Sequence, residues 1–461
     1  MTAELTLSDA HQQTIRTLCG GAVHLPGDPG YDDARVPWSM TVDQRPAAVV
    51  YPACADEVAE VVRFAARAGL RVAPQGTGHN AGPLGPLDDV ILLRTSAMTG
   101  VTIDPVARTA RAEAGTLWQD VVEAASKHGF DALHGSSPDV GVVGYSLGGG
   151  LGWFGRQHGL QSNSVTAVEI VLADGSLVRA DATHHTDLFW ALRGGGGNFG
   201  VVTAIEFKLY PIETAYAGML IWDWSHARRV LSTWSAWAVD APDLITTSFR
   251  IMQIPPLPFI PEPVRGRNIV MINGAALCYD EEAEAVLAPL RELQPEIDTF
   301  GRAPAVSLTR LHMDPEGPTA GVTRTVMLRE LPAEAIDAFV AAAGPDSGSC
   351  LVSAELRQLG GAVGRIPRDA GALTHLEGQF QLFAAAMAPT PEMAAAGHAH
   401  ADRLVSQMQP WAARQQYLNF TERQVDASTG YDEHSWLRLR ELPARFDPDG
   451  LFVANHQLVR K

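Results

Sequence analysis

The first 210 residues alternate between segments with helical and strand-like spacing of apolar positions. Ala47 to Tyr51 is an apolar run of strand length, and Ala55 to Leu70 repeats apolar residues at the spacing of a helix that Gly69 closes. Arg71 to Ala73 resumes a strand. Five further strands and two helices are predicted: strands Val90–Leu93, Val101–Ile103, Thr109–Glu113, Val165–Leu172 and Val201–Leu209, with helices at Thr116–His128 and around Leu188–Leu192. The pattern is typical of a compact α/β unit.

The pattern changes near Tyr210-Pro211, where long strand-like runs and amphipathic helices follow. The runs are Asn268–Leu277, Gly348–Leu356 and Gln379–Met387, and helices are predicted at Glu281–Leu293, Pro332–Ala343 and Met393–Met408. A short last segment has a predicted strand at Gln416 to Phe420, a helix at Asp432 to Ala444 and a final strand after Asp447-Pro448. Because it is too small for a separate domain, we expect it to pack back onto an earlier lobe.

Composition and charge argue against several classes of protein. The chain has 461 residues, 46% of them hydrophobic, and a net charge of −17 from 35 basic and 52 acidic residues. This charge argues against nucleic-acid binding, which needs a basic face. No apolar run is as long as a membrane helix, and Met1 to Gln12 lacks the apolar core of a signal peptide. The four cysteines are scattered, so we expect a cytoplasmic protein with free thiols and no metal site.

Glycine is concentrated between Gly76 and Gly200, a stretch that holds 22 of the 43 glycines. In Gly76-Thr77-Gly78-His79-Asn80, the two glycines allow successive backbone N–H groups to turn toward one point and bind phosphate without basic side chains. An ordinary turn is the alternative for this loop. Two more clusters run from Gly135 to Gly152 and from Gly194 to Gly200. Such density is expected where backbone lies against a flat ligand or another backbone.

Standard nucleotide-binding motifs do not account for these loops. The chain has neither G-x-x-x-x-G-K-[ST] nor a G-x-G-x-x-G between a strand and a helix. The segment Gly144-Tyr145-Ser146-Leu147-Gly148 does match G-x-S-x-G, the nucleophile elbow of serine hydrolases, and Asp447 and His456 follow it. A serine hydrolase is therefore a distant alternative.

The glycine loops and the motifs around them resemble the PCMH-type FAD-binding domain of the vanillyl-alcohol-oxidase superfamily. More narrowly, the chain is similar to the berberine-bridge-enzyme-like branch. The motifs that carry the resemblance are spread over nearly the whole chain, and they are Gly30-Tyr31-Asp32, Arg45–Val49, Gly76–Asn80, Ser137–Gly141, Gly148–Gly152, Asp187–Thr203, Glu355–Ala362, Tyr417–Phe420 and Phe446–Phe452.

The resemblance implies an α+β fold with FAD as the cofactor. A two-subdomain FAD-binding domain would carry a cap domain whose antiparallel sheet is flanked by helices. The implied division is an N-terminal extension (1–40), the FAD-binding domain (41–211), the substrate-binding cap (212–410) and a C-terminal return (411–461) that closes on the FAD domain.

The resemblance also assigns residues to the cofactor. His79 would be bonded covalently to the flavin, within a loop that wraps the pyrophosphate. Some relatives add a cysteinyl link where this chain has Ser137, so a single covalent bond is expected. Val140 lies at the position that controls oxygen access, where valine accompanies oxidases. The other implied FAD contacts are Gly76, Thr77, Gly78, Asn80, Pro138, Gly141, Gly144, Gly149, Gly150, Gly152, Val202 and Asn419.

The catalytic base is the weak point of the resemblance. Many relatives use a tyrosine that closes a Y-x-N-Y strand, but the fourth position here is Phe420, which has no ionisable proton. Glu355 is the first candidate for a base, with Arg357 on the same face of its predicted strand. A salt bridge between Glu355 and an arginine is the alternative. Tyr417 and Tyr145 are the other candidate catalytic residues.

The expected activity is that of an oxidase. It would take hydride from an alcohol, hemiacetal or activated C–H of a small organic substrate and pass the electrons to O2, releasing hydrogen peroxide in secondary metabolism or carbohydrate oxidation. A dehydrogenase of the same fold that uses another acceptor is the alternative, and a flavoprotein without turnover is a more distant one. We expect no nucleic-acid or membrane partner and a monomer or homodimer.

Overall fold

The computed structural model describes residues 7–258 and 260–458. Residues 1–6 of the predicted N-terminal extension, Phe259 within the predicted cap, and residues 459–461 of the predicted return lie outside the described residues.

Two small sheets are formed by the first half of the chain. Their nine strands are β1 (Val23–His24), β2 (Ala48–Val50), β3 (Arg71–Gln75), β4 (Val90–Arg94), β5 (Val101–Asp104), β6 (Thr109–Glu113), β7 (Val165–Val171), β8 (Leu177–Asp181) and β9 (Val201–Lys208). The first sheet has the order β1-β2-β4-β3, with β2 and β3 parallel to β4 and with β1 antiparallel to β2. The second is antiparallel, with the order β5-β6-β9-β7-β8.

Seven helices accompany these sheets. They are α1 (Asp9–Ile15), α2 (Tyr31–Ala34), α3 (Ala55–Ala68), α4 (Trp118–Ser126), α5 (Val142–Leu147), α6 (Gly155–His158) and α7 (Thr186–Leu192). Helix α3 follows the predicted pattern, because Val58, Val61, Val62 and Ala65 are buried on one side. It ends at Gly69, whose φ of 69° suits glycine and whose N–H bonds the carbonyl of Ala65.

A larger antiparallel sheet, here called the cap sheet, is formed by the second half. Its strands are β10 (Thr214–Asp223), β11 (Ile245–Gln253), β12 (Asn268–Ala276), β13 (Ile297–Asp298), β14 (Gly301–Pro304), β15 (Gly321–Leu328), β16 (Ser353–Gln358) and β17 (Phe380–Met387). The order is β13-β10-β12-β11-β16-β17-β15, and β14 also pairs with β10. Helices α8 (Ala227–Asp240), α9 (Asp280–Arg291), α10 (Ala333–Ala343) and α11 (Pro391–Met408) belong to the same half.

The two faces of the cap sheet differ in polarity. Phe249, Leu356 and Leu382 lie in one buried core with residues of the helices α8 to α11. Because strand side chains alternate between faces, their neighbours Arg250, Arg357 and Gln381 lie on the opposite face, along with other polar residues. The central strands therefore provide a polar surface that is turned away from the helices.

The C-terminal segment packs onto the first half of the chain. Phe452 forms a parallel bridge with Val72, and Tyr417 and Phe446 join the largest core, which includes residues of both small sheets. The predicted strand at Gln416 to Phe420 is wrong, since Leu418–Phe420 is a single 3-10 turn. The predicted final strand is reduced to that isolated bridge. The predicted helix at 432–444 is divided into α12 (Glu433–Leu439) and α13 (Pro443–Phe446).

The predicted α+β class, with a large antiparallel sheet flanked by helices, is confirmed. The domain boundaries after residues 40, 211 and 410 stay predictions. Among the described residues, no helix combines the length and apolar composition that are needed to cross a membrane.

Candidate active site

The loop after β3 holds His79 against the N-terminal segment. The indole of Trp38 stacks on the imidazole, with ring centroids 4.0 Å apart and an interplanar angle of 24°. His79 Nε2 lies 3.3 Å from the carbonyl oxygen of Asp139. A carbonyl only accepts, so this bond requires the proton on Nε2 and leaves the lone pair on Nδ1. Burial lowers the pKa of His79, against the opposing charge of Asp139, and so favours the neutral ring.

The carboxylate of Asp139 joins three segments beside His79. Its Oδ2 accepts hydrogen bonds from Trp38 Nε1 and from the backbone N–H of Gly317, each at 2.7 Å. Its Oδ1 accepts one from Ser137 Oγ at 2.8 Å. Burial alone would raise the pKa of Asp139, but these hydrogen bonds outweigh it and lower the pKa. The side chain is thus an ionised connector between the N-terminal segment, the 137–139 loop and the loop before β15.

A largely buried group of charges, here called the charge cluster, lies on the polar face of the cap sheet. It consists of Arg250, His312, Asp314, Glu355 and Arg357. His312 Nδ1 is 2.8 Å from Asp314 Oδ1, and His312 Nε2 is 3.0 Å from Glu355 Oε1. Arg357 Nε donates to Glu355 Oε1 at 2.7 Å, and Arg250 Nη1 donates to the carbonyl of His312 at 2.7 Å.

The charge cluster explains the state of Glu355. Its side chain is 2% exposed. Burial would raise the pKa of the Glu355 carboxyl, but the charges of Arg357 and His312 prevail and lower that pKa to about 2. Glu355 therefore forms the salt bridge with an arginine that was the alternative to a catalytic base. With so low a pKa, the Glu355 carboxylate is a weak proton acceptor. The same cations lower the pKa of Asp314, again against burial.

The charge cluster also contacts the loop that precedes Asp139. Ser136 Oγ donates to Asp314 Oδ2 at 3.3 Å, and Arg357 Nη2 lies 3.5 Å from Ser136 Oγ. The guanidinium carbon of Arg357 is 5.0 Å from the ring centroid of Phe420. The residue that replaces the expected tyrosine therefore faces a cation.

The two candidate tyrosines are engaged in structural hydrogen bonds. Tyr145 donates its hydroxyl to the carbonyl of Leu133 at 3.1 Å, and burial raises its pKa. The hydroxyl of Tyr417 accepts the N–H of Gly150 at 2.9 Å, and burial raises the pKa of Tyr417 to about 12. Asn419 Nδ2 donates to the carbonyl of Tyr145 at 2.9 Å and lies 3.3 Å from the Tyr417 hydroxyl. Both tyrosines are neutral at physiological pH.

Two kinds of glycine occur in the loops. A methyl group at Gly148 would collide with Asn419, one at Gly150 with Tyr145, and one at Gly152 with the carbonyl of His134. Those glycines are required by packing within the chain. In contrast, a methyl group at Gly144 would meet no atom within 4 Å, and one at Gly76 or Gly141 would meet a single atom at 3.8 or 3.9 Å. The second group borders open space.

The comparisons with known proteins agree with this arrangement. A family model described as an FAD binding domain matches residues 46–181. The chain is 26% identical to an uncharacterised FAD-linked oxidoreductase of Bacillus subtilis, YvdP, over 95% of this chain and 97% of that protein. It is 35% identical to xylooligosaccharide oxidase of Thermothelomyces thermophilus over 206 residues, which cover 43% of this chain and 41% of that enzyme. The solved structure of Physcomitrella patens BBE-like 1 matches with a TM-score of 0.84 at 21% identity, covering 98% and 99% of the two chains.

Residues 46–181 are therefore an FAD-binding domain, and nearly the whole chain is similar to an FAD-linked oxidoreductase. Its fold is the berberine-bridge-enzyme-like fold, as the motifs predicted. The match to xylooligosaccharide oxidase spans less than half of that enzyme.

The residues of the glycine loops fit a bound FAD. The open faces at Gly76, Gly141 and Gly144 allow a ligand to approach the backbone closely. Within the described residues, buried polar atoms without a hydrogen-bond partner remain at Asn80 Oδ1, Ser162 Oγ and both amide atoms of Gln161. Such atoms need a partner, and a dinucleotide has polar groups to supply one.

Other residues that the resemblance assigned to FAD make hydrogen bonds or packing contacts within the chain. The carbonyl of Thr77 accepts the N–H of Trp38, and that of Pro138 accepts the N–H of Gln119. Val140 packs against the largest core, and Val202 is buried in β9. Gly78 has a φ of 84° and lies against Pro37, and Gly149 lies against Leu373 and Tyr417.

The serine-hydrolase alternative fails on geometry. Ser146 is fully buried in the short helix α5, which follows a loop rather than a strand. Its hydroxyl has no hydrogen-bond partner in the part of the chain that the structure describes, and His456 instead contacts the carbonyl of Leu418. A nucleophile elbow needs an exposed serine on a strand-to-helix turn. Nor do residues 7–258 and 260–458 bring together three His, Cys, Asp or Glu side chains that could hold a metal.

The sequence reasoning missed His312, Asp314 and Trp38. Their spacing carries no recognised motif. His312 and Asp314 belong to a loop and reach Glu355 only through the tertiary fold. The alternation of polar His312 and Asp314 with apolar Leu311 and Met313 was the available signal.

Substitution of Glu355 by glutamine is expected to destabilise the protein. The substitution removes a carboxylate that pairs with Arg357 and His312. Breaking a buried ion pair lowers the free energy of unfolding by roughly 3–5 kcal/mol. The Glu355 pKa falls from its ordinary value of 4.5 to about 2 on folding. Its stabilisation is therefore complete above pH 4.5 and is lost as the pH falls toward 2.

The measurement is thermal unfolding of wild type and Glu355→Gln at pH 7 and pH 3, with the exposed Glu330→Gln as control. We expect a large difference at pH 7, a smaller one at pH 3 and none for the control. Equal differences at both pH values would contradict the ionised state of Glu355.

Proposed function

We propose that this oxidoreductase is an oxidase of small organic molecules that carry an alcohol, a hemiacetal or an activated C–H. Bound FAD supplies the hydride acceptor and passes the electrons to O2, with release of hydrogen peroxide. The observation that carries the proposal is the contact of the charge cluster with Ser136, in the same loop as Asp139, which holds His79. This contact joins the polar face of the cap sheet to the loops that fit the cofactor.

In this proposal the chain orients the substrate and excludes water between two preformed surfaces. Hydroxyls and charges of the cap sheet face the reacting group, and the glycine loops hold the cofactor. The similarity to xylooligosaccharide oxidase and to the BBE-like fold supports a substrate in which an alcohol or a hemiacetal is oxidised. Trp222 and Trp234 are buried in the helix-side core, so neither offers a stacking face for a sugar.

By the family resemblance, the valine at position 140 supports an oxidase over a dehydrogenase. Its side chain packs against the largest core, and its carbonyl accepts the N–H of Trp118. A leucine at this position adds one methylene, which would fill space next to the proposed oxygen path.

Val140→Leu is expected to slow reoxidation by O2 at least about tenfold, which corresponds to ~1.4 kcal/mol of barrier. Reduction by substrate should change little. Substrates are first found by a hydrogen peroxide screen over alcohols, sugars and organic acids, and the two half-reactions are then followed separately by stopped flow. Wild type that reoxidises slowly with O2 but rapidly with an artificial acceptor would establish a dehydrogenase instead.

We also propose that His79 holds the cofactor covalently through Nδ1. The supporting features are the neutral ring, the proton placed on Nε2 by Asp139, and the stacking of Trp38, which restricts rotation of the imidazole. Ser137 offers no thiol for a second link, and its hydroxyl is bonded to Asp139.

His79→Ala is expected to release all flavin on denaturation, whereas wild type retains it. The measurement is reverse-phase separation of acid-denatured protein with detection at a flavin absorption band. His184→Ala, an exposed histidine, serves as control and should retain the flavin. Free FAD from denatured wild type would contradict the covalent link.

The open face at Gly144 gives a test of where the cofactor lies. Alanine there places a methyl group in open space and removes a glycine from α5, which favours a helix by up to about 1 kcal/mol. We therefore expect Gly144→Ala to keep or gain stability as apoprotein and to lose FAD content.

Gly301→Ala is the matched control, because its methyl group also meets no atom within 4 Å but lies in β14. FAD content is measured from the visible spectrum per mole of protein, and stability from thermal unfolding. Full FAD content in Gly144→Ala would place the cofactor elsewhere.

A further inference from the structure

A cleft lies between the polar face of the cap sheet and the glycine loops. Ser136 and Trp153 line it on one side, and Thr246, Ser248 and Arg357 line it on the cap-sheet side. The register explains the grouping on the cap-sheet side, since Ser248 is paired directly with Arg357 and Arg250 with Glu355. The cleft therefore has a cation and several hydroxyls at its wall.

The hydrogen bonds of the charge cluster determine its proton count. Both ring nitrogens of His312 face carboxylate oxygens at hydrogen-bond distance. The carboxylates of Asp314 and Glu355 are ionised and cannot donate, so the two hydrogen bonds form only when both ring nitrogens of His312 carry a proton. In this arrangement His312 is a cation between two carboxylates. With Arg250 and Arg357 the charge cluster carries a net charge of one positive.

The groups around the charge cluster leave this charge uncompensated. Tyr145 and Tyr417 lie near Arg357, but burial raises the pKa of both, and they stay neutral. Asp139 already accepts three hydrogen bonds, from Trp38, Ser137 and Gly317. The neighbouring His79 is neutral at physiological pH because burial lowers its pKa.

Several donors and acceptors on this face also lack partners. Arg250 is 4% exposed, and its Nε has no hydrogen-bond partner in the described part of the chain. The same holds for Asn273 Nδ2 and Gln381 Oε1, which lie on the same sheet face. Buried polar atoms are normally paired, so the face is built for a ligand.

We propose that the cleft binds a carboxylate, so that the substrate is an organic acid oxidised at a carbon near its acid group. The inference rests on the proposed function and names its substrate class. One carboxylate neutralises the single excess charge, whereas a phosphate dianion would exceed it. The free side of the Arg357 guanidinium suits the planar carboxylate, and the hydroxyl of Thr246, which also lines the cleft, can donate to one of its oxygens. Leu151 and Trp153 provide apolar contact for the rest of a small molecule.

The test compares benzoate with benzamide, a neutral molecule of nearly the same shape. Each is titrated into the FAD-loaded protein at pH 7, and the change in the visible flavin spectrum gives its Kd. We expect benzoate to bind at least about tenfold more tightly than benzamide, and the difference to shrink with added salt. Arg357→Lys should weaken benzoate and leave benzamide unchanged, while Arg228→Gln, at an exposed ion pair, should change neither.

Equal affinities for benzoate and benzamide in wild type would overturn the proposal without any variant. A second result would also overturn it: in Arg357→Lys the affinity for benzoate stays constant, while the midpoint potential of the flavin shifts in the absence of ligand. Arg357 would then act on the cofactor and not on a bound carboxylate. Binding is measured without turnover, so a protein that fails the peroxide screen can still bind benzoate. Conversely, an active oxidase of neutral alcohols that does not prefer benzoate would contradict only the carboxylate site.

Discussion

The arrangement of the site depends on the half-buried carboxylate of Asp139. It holds the indole of Trp38, the hydroxyl of Ser137 and the backbone of Gly317 together, and its own carbonyl bonds His79. A carboxylate that is partly removed from water needs hydrogen-bond donors for its oxygens. The three donors therefore fix three distant segments at once, and the 312–317 loop brings His312 and Asp314 to Glu355.

The glycine loops meet two different demands. At Gly148, Gly150 and Gly152 the space of a side chain is taken by Asn419, Tyr145 and a backbone carbonyl, so these glycines serve the close packing of the C-terminal segment. At Gly76, Gly141 and Gly144 the space is open. Only the second group fits direct approach of the backbone to a cofactor, although all six belong to the same glycine-rich stretches. An acidic chain can bind a dinucleotide in this way because backbone N–H groups, rather than lysines, meet the phosphates.

Much of the fold and part of the site followed from the sequence. Alternation in the Ser353–Gln358 strand correctly placed Glu355 and Arg357 on one face, because strand periodicity is local. The strand predicted at Gln416–Phe420 failed because its alternating residues are held by distant contacts. Tyr417 caps the N–H of Gly150, and Asn419 reaches the carbonyl of Tyr145. The ion pairing of Glu355 with His312 depends on how a loop packs on the cap sheet, which no local pattern reports.

A crystal structure of the FAD-loaded protein with benzoate tests the central claim most directly. The account predicts flavin density that is continuous with His79 Nδ1 and lies against Gly141 and Gly144, with the benzoate carboxylate at Arg357. A flavin that avoids these open faces, or a benzoate whose carboxylate points away from the charge cluster, would contradict it.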